Sequence, residues 1–428
     1  MRADYLRSRA LGAACVLAAV FVHDVATAAD PLPRVDPARA GFSAAGLQRI
    51  DRFFADEMGR NQIPGAVVAI AREGRLVYYK AIGFQDKASS VPMKADSIFA
   101  LASMTKPMVV VGALTLYEEG RLPLKSAVSE YFPQFKSMQV GVVDGSGQVR
   151  TEPAKNPIFI QDLMRHTSGL TYGARGNTPV HKMWPASSSD VAYTYSAPEM
   201  MDALSKLPLL YQPGTTWDYG LSIDALGAIV EKVTGKSLSA ALDERIWSKV
   251  GMPDTSFAVT GDKRARLAQP LANDPITGKA QSIRLLREQP KLECGGGCAF
   301  GTAADYIRFG QMLLNGGVID GKRVLSPKTV RLMTSDHLSP NIKNNVAGTE
   351  GGRDGYGFGL GVAVRTQPGI AAINGSVGDY TWNGANGTIF WADPKEQLVV
   401  VTMTAGPGEI RKYYREQMSA LVYGAMEK

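Results

Sequence analysis

The sequence predicts an α+β fold: one antiparallel sheet built from both ends of the chain, flanked by terminal helices, with a mostly helical domain inserted. Three observations carry that prediction. Apolar, β-branched runs at residues 66–70 and 76–82 flank Glu73-Gly74-Arg75, the pattern of a hairpin. Runs at 356–364, 388–391 and 398–403 have the same character, the last two separated by the turn sequence Asp393-Pro394-Lys395-Glu396. Between these ends, apolar residues recur at helical spacing.

The N-terminus reads as an export signal. Arg2, Arg7 and Arg9 precede an apolar stretch at 10–22, and Ala26-Thr27-Ala28 supplies small residues for a cut after Ala28. Thirteen apolar residues make about 20 Å of helix, short of a bilayer span. Residues 1–28 are therefore expected to be a signal peptide, the mature protein periplasmic or secreted, with no stable membrane span. Residues 47–58 then form an amphipathic helix ahead of the hairpin. Helical periods follow at 108–119, 160–165, 198–204, 223–233, 238–250, 303–314 and 326–333, and a last one at 410–426 closes the chain. At 428 residues and 45% apolar content the chain can bury two lobes. Residues 29–105 and 340–428 are assigned to an α/β lobe and 106–339 to a helical lobe. The Gly-rich stretch 143–147 and the polar stretch 341–355 read as flexible.

Charge narrows the function classes. The formal net charge of +7 falls to +6 once residues 1–28 are set aside, and no Lys/Arg run is interleaved with aromatics. A nucleic-acid partner is not expected. Export would remove Cys15, leaving Cys294-Gly-Gly-Gly-Cys298. In an oxidising compartment this pair suits a short disulfide, and a free pair of small buried residues is the other reading. Four ligands at zinc spacing are missing, so no metal site is expected.

One constellation carries chemistry. Ala102-Ser103-Met104-Thr105-Lys106-Pro107 precedes a strongly apolar helix, and Pro107 belongs in a first turn, so the helix begins around 103–106. Three residues apart, Ser103 and Lys106 share a helix face. A hydroxyl becomes a good nucleophile when a neighbour takes its proton, and an amine can do so. The helix start also favours a developing oxyanion. Ser-x-x-Lys is a weak motif alone, and a capping serine beside a solvated lysine is the competing reading. It occurs once here, while Gly-x-Ser-x-Gly, His-Glu-x-x-His and Gly-x-Gly-x-x-Gly do not occur. His166, at a helix end before a turn, reads as structural.

The order of motifs resembles the serine β-lactamase and penicillin-binding-protein superfamily, and within it class C β-lactamases and the family VIII esterases. The carriers are Ser103-Met104-Thr105-Lys106, the stretch Leu163-Met164-Arg165-His166-Thr167-Ser168-Gly169-Leu170, and Trp217-Asp218-Tyr219-Gly220-Leu221-Ser222. Gly295-Gly296-Gly297 follows with Thr302-Ala303-Ala304-Asp305-Tyr306, then Trp382-Asn383-Gly384-Ala385-Asn386-Gly387-Thr388. The resemblance implies a β-lactamase/transpeptidase-like fold and an acyl-enzyme on Ser103, without cofactor. It implies Tyr219 as the catalytic tyrosine that shares protons with Lys106, and the backbone N–H groups of Ser103 and Ala385 as the oxyanion hole. Leu221, Trp382, Asn383 and Gly384 are expected to meet substrate. Two departures point to the substrate class. The superfamily usually carries Lys-Thr-Gly at the third motif, where this chain has Trp382, and an asparagine two after the tyrosine, where it has Leu221. Family VIII esterases show similar replacements, so a small neutral ester is the expected substrate. A β-lactamase, amidase or D-amino-acid peptidase is the alternative within the fold, and a non-catalytic sensor the alternative outside it.

Overall fold

The computed structural model describes residues 30–349 and 352–427, so the expected signal peptide and its cut after Ala28 lie outside the described residues. Strands from both chain ends form one eight-stranded sheet. Gly65–Arg72 lies between Leu398–Thr404 on one side and Arg75–Asp86 on the other, both antiparallel to it. Ile389–Asp393, Tyr380–Thr381, Ala363–Arg365 and Tyr356–Phe358 continue the sheet beyond Leu398–Thr404. The Asp393 turn is real: its Oδ1 accepts the backbone N–H groups of Lys395 and Glu396.

The central strands are apolar on both faces because both are covered. Ala66, Val68, Ile70, Leu398, Val400, Ile389 and Trp391 meet the two terminal helices, Ala44–Gly59 and Ile410–Tyr423. Rings of Phe53, Phe54, Tyr413 and Tyr414 join those helices, and Tyr414 donates its hydroxyl to Glu57 at 3.0 Å. The alternate residues Val67, Ala69, Val399, Val401, Phe390 and Ala392 belong to the larger core on the other side. There the helix Ala303–Leu314 packs on the sheet, with Tyr306 edge-on to Phe390 at 5.2 Å. A period of two along each strand thus distributes side chains between two helical layers. The sequence pattern led us to expect cover from the terminal helices alone, with 303–314 among the inserted helices.

Other expectations need correction. The run 356–364 is two short strands, not one. Its apolar character continues through a tight turn, where Gly359 donates to the Val362 carbonyl and Gly361 takes φ +79°. The stretch 143–147 is the turn of a hairpin, Gln139–Val143 with Val149–Pro153, and Asp144 holds it by accepting the N–H groups of Ser146 and Gln148. The helix expected over 238–250 contains a π-turn at Asp243–Trp247. Part of 341–355 is ordered: Val346–Thr349 is a 3-10 turn and Arg353 is buried.

Candidate active site

Ser103 sits where backbone strain and packing converge. Leu101 donates its N–H to the Ala299 carbonyl at 2.9 Å, and the preceding Phe99–Ala100 pairs with Phe300–Gly301. Ala102 then takes φ +46°, a conformation unusual for a residue with a β-carbon. This bend leads into the 3-10 turn Ala102–Met104 and the helix Thr105–Glu118. Two side chains tie the bend. Thr105 donates its hydroxyl to the Ala102 carbonyl at 2.7 Å while accepting the Ala299 N–H, and Tyr306 donates to the Met104 carbonyl at 2.8 Å. From Thr105 to Leu116 every residue of the helix is buried, which explains its all-apolar run.

Lys106 is 1% exposed. Its Nζ donates to the Gly296 carbonyl at 2.5 Å, to the Tyr172 hydroxyl at 3.2 Å and to Ser103 Oγ at 3.4 Å. The same Nζ lies 4.5 Å from the centre of the Tyr219 ring. The sequence reading missed what stands behind it. Tyr172 and Ser188 hydroxyls are 2.6 Å apart, Ser188 donates to Asp224 Oδ2 at 2.7 Å, and Asp224 Oδ1 accepts the Gly296 N–H at 2.9 Å. Lys106 donates to Tyr172 and Ser188 spends its proton on Asp224, so between the two hydroxyls Tyr172 is the donor. Gly296 closes the ring, its carbonyl on Lys106 and its N–H on Asp224. A β-carbon there would fall 2.2 Å from Ser188 Oγ and 2.3 Å from Asp224 Oδ2, so glycine is required.

Burial sets the protonation of this network. It pushes the Asp224 carboxyl up, with Lys106 and the hydrogen bonds pulling the other way. Tyr172 is held well above the ordinary phenol value by burial and then by Asp224, so it remains a hydroxyl donor. Tyr172 follows the Leu163–Leu170 motif, and Asp224 opens the apolar helix Ser222–Thr234, so each had a faint sequence signal. Ser188 had none.

Tyr219 is wedged among aromatic rings. His166 lies 4.8 Å away, Trp382 5.0 Å and Tyr172 5.4 Å. Trp382 donates its indole N–H to the Tyr219 hydroxyl at 3.3 Å. The His166 carbonyl fixes the loop by accepting the Asp218 N–H at 2.9 Å. Burial, with help from Lys106 and Arg175, depresses the His166 imidazole well below its ordinary value, and neither ring nitrogen has a hydrogen-bond partner among the described residues. It is a neutral wedge behind Tyr219.

Ser103, Tyr172, Tyr219, Gly296, Ala385 and Asn386 line one cavity of about 400 Å³. The Ala385 N–H makes no hydrogen bond among the described residues, and Ser103 stands in a first turn, where N–H groups lack helical acceptors. The four residues expected to meet substrate are placed otherwise. Leu221 is fully buried and Trp382 is 3% exposed. Asn383 lines a separate small cavity behind Trp382, beside Arg353 and Arg415, and accepts the Phe390 N–H. Gly384 passes its carbonyl to Arg415 at 2.6 Å. None of the four lines the cavity at Ser103. The sulfurs of Cys294 and Cys298 are at bonding distance, with Cα atoms 5.1 Å apart, and Cys298 reaches the cavity wall. Among the described residues, no group of His, Cys, Asp or Glu could hold a metal ion, and no helix is long and apolar enough to cross a membrane.

Comparison with known proteins agrees with this architecture. The sequence profile of the family described as Beta-lactamase matches residues 50–423. An uncharacterized protein of Mycobacterium tuberculosis is 35% identical over 351 residues, 79% of this chain and 85% of that protein. Esterase EstB of Burkholderia gladioli is 29% identical over 389 residues, 86% of this chain and 93% of its own. Among solved structures, EstCE1, a hydrolase with promiscuous acyltransferase activity, superposes with a TM-score of 0.72 at 26% identity. The match covers 89% of this chain and all of that one.

Proposed function

The chain belongs to the Beta-lactamase family, and from that premise we propose that it is a serine esterase acting on neutral, short-chain carboxylic esters. The observation that carries the reading is the contact between Ser103 and buried Lys106 at the wall of a cavity shared with Tyr219 and Ala385. Ser103 Oγ attacks the ester carbonyl as its proton passes to the Lys106–Tyr219 pair, which enters the step sharing one proton fewer than it can hold. Negative charge on the carbonyl oxygen is met by the N–H groups of Ser103 and Ala385. The pair returns the proton to the departing alcohol, leaving an ester on Ser103. Water then attacks that ester and gives its proton to the same pair, which returns it to Ser103 Oγ as the acyl–oxygen bond breaks and the acid leaves. Likeness to EstCE1 and to the esterase EstB supports this chemistry. The acyltransferase activity of EstCE1 favours a second reading, in which an alcohol replaces water in the last step.

The want of a lysine at position 382 bears on the substrate class. A lysine at that position would give a substrate carboxylate a charge-assisted hydrogen bond of roughly 1.5–3 kcal/mol, about ten- to a hundredfold in kcat/KM. The indole N–H is instead committed to Tyr219, and Arg353 lies over the indole ring in the separate cavity behind it. Measured on one preparation, kcat/KM for p-nitrophenyl butyrate should exceed that for a chromogenic cephalosporin. A cephalosporin value equal or higher would assign the protein as a lactamase.

The leader sequence supports export to the periplasm or beyond the cell, where Cys294 and Cys298 would be bridged. Protein recovered from the periplasm should titrate no free thiol and gain about 2 Da, two hydrogens, on reduction. Two titratable thiols before reduction would rule the bridge out.

A further inference from the structure

The cavity at Ser103 has a wall that a plain alkyl ester does not use. We infer that the alcohol half of the substrate is a carbohydrate or similar cyclic polyol, so that the enzyme removes a short acyl group from a sugar hydroxyl. This rests on the esterase reading and names its substrate class. Two segments build the wall. Residues 187–189 contribute three serines, and residues 282–285 contribute Ser282, Ile283, Arg284 and Leu285. Ser188 is committed to the buried network, but the hydroxyls of Ser189 and Ser282 have no hydrogen-bond partner among the described residues. Asn386 spends its amide N–H on the Ala100 carbonyl, which leaves its oxygen as an acceptor.

Arg284 has two partners. Its guanidinium lies 3.6 Å from the centre of the Tyr193 ring and grips Glu288 through Nε at 2.8 Å and Nη2 at 3.1 Å. Tyr193 in turn donates to the Glu288 carbonyl at 3.0 Å, so the two segments are fastened together. The ion pair takes up Nε and Nη2 and leaves Nη1 as a donor beside a carboxylate. Hydroxyls, an amide oxygen and a guanidinium already paired with a carboxylate suit neutral oxygen atoms better than an anion. Ile283, Leu285 and the rings of Tyr172 and Tyr219 supply apolar surface in the same cavity. A pyranose presents that combination, with C–H faces between rims of hydroxyls. Ser189, Ser282 and Arg284 are exposed, so the sugar hydroxyls would replace water on them, whereas an alkyl alcohol would displace that water and offer nothing in exchange.

The test compares 6-O-acetyl-D-glucose with cyclohexylmethyl acetate, which keeps the acyl group and a six-membered ring but removes the hydroxyls. With acetate release as the readout, kcat/KM should favour the sugar at least tenfold. Arg284→Leu and Ser282→Ala should each lower that ratio several-fold, since a ratio of two substrates is insensitive to a general loss of folded enzyme. Equal or better turnover of cyclohexylmethyl acetate, or a ratio unchanged in both variants, would overturn the inference. So would failure on both acetates by a preparation that still hydrolyses p-nitrophenyl butyrate. Failure on butyrate as well would instead remove the esterase reading beneath it.

Discussion

Replacing Ser103 by alanine is expected to abolish ester turnover while leaving the protein folded. The expectation has two separable parts. Chemically, the substitution removes the oxygen that would carry the acyl group, and loss of a nucleophile costs orders of magnitude beyond a hundredfold. Structurally, the hydroxyl makes one hydrogen bond in the described structure, the 3.4 Å contact from Lys106, and Lys106 keeps Gly296 and Tyr172. The strained Ala102 is held by Thr105 and by the backbone at Leu101, neither of which the substitution touches. Thermal unfolding should therefore shift little. Intact-mass measurement with a p-nitrophenyl ester or a phosphonate should show an adduct on the native protein and none on Ser103→Ala. More than about a hundredth of native turnover in the variant would exclude the mechanism.

Why was so much of this legible in the sequence, and the rest not? The sheet was readable because its strands are short, β-branched and bounded by turn residues, as at 398–403. Single-face patterning was absent, since Val399 and Val400 are both buried, one under each helical layer. That continuous apolarity signals cover on both faces, but it does not say which helix supplies it. Ser103 and Lys106 were readable because Pro107 marks a helix start, and Tyr219 because of its neighbours. The Tyr172–Ser188–Asp224 chain was not, because its members come from separate segments joined by side-chain hydrogen bonds, which leave no periodic trace. Trp382 was found by its place in the motif, yet its direction was misjudged. A tryptophan at that position suggests an apolar face for substrate, whereas the indole is spent on Tyr219 and nearly buried. The serine wall at 187–189 and 282–285 also escaped notice, since polar loop residues are ordinary until folding places them opposite a reactive group.

Lys106→Ala and Tyr219→Phe should each lower kcat by roughly 10² or more, and the double variant should lose far less than the product of the two. The reason is geometric. Lys106 Nζ is 3.4 Å from Ser103 Oγ and 4.5 Å from the centre of the Tyr219 ring, so under the proposed mechanism the two would share the serine proton and loss of either would disable the pair. The two single variants should nevertheless differ in stability. Removing Lys106 strips the compensating cation from Asp224, whose carboxyl burial already pushes up, and takes a donor from Tyr172. Removing the Tyr219 hydroxyl leaves one indole N–H of Trp382 without its acceptor, a loss of about 1–3 kcal/mol. Lys106→Ala should thus unfold at the lower temperature, and Asp224→Asn on that background should recover part of the loss without restoring turnover. Such recovery would separate the lysine's part in holding the network from its part in moving the proton. Kinetic losses that multiply fully in the double variant would show that Lys106 and Tyr219 act independently, and the shared-proton mechanism would fall.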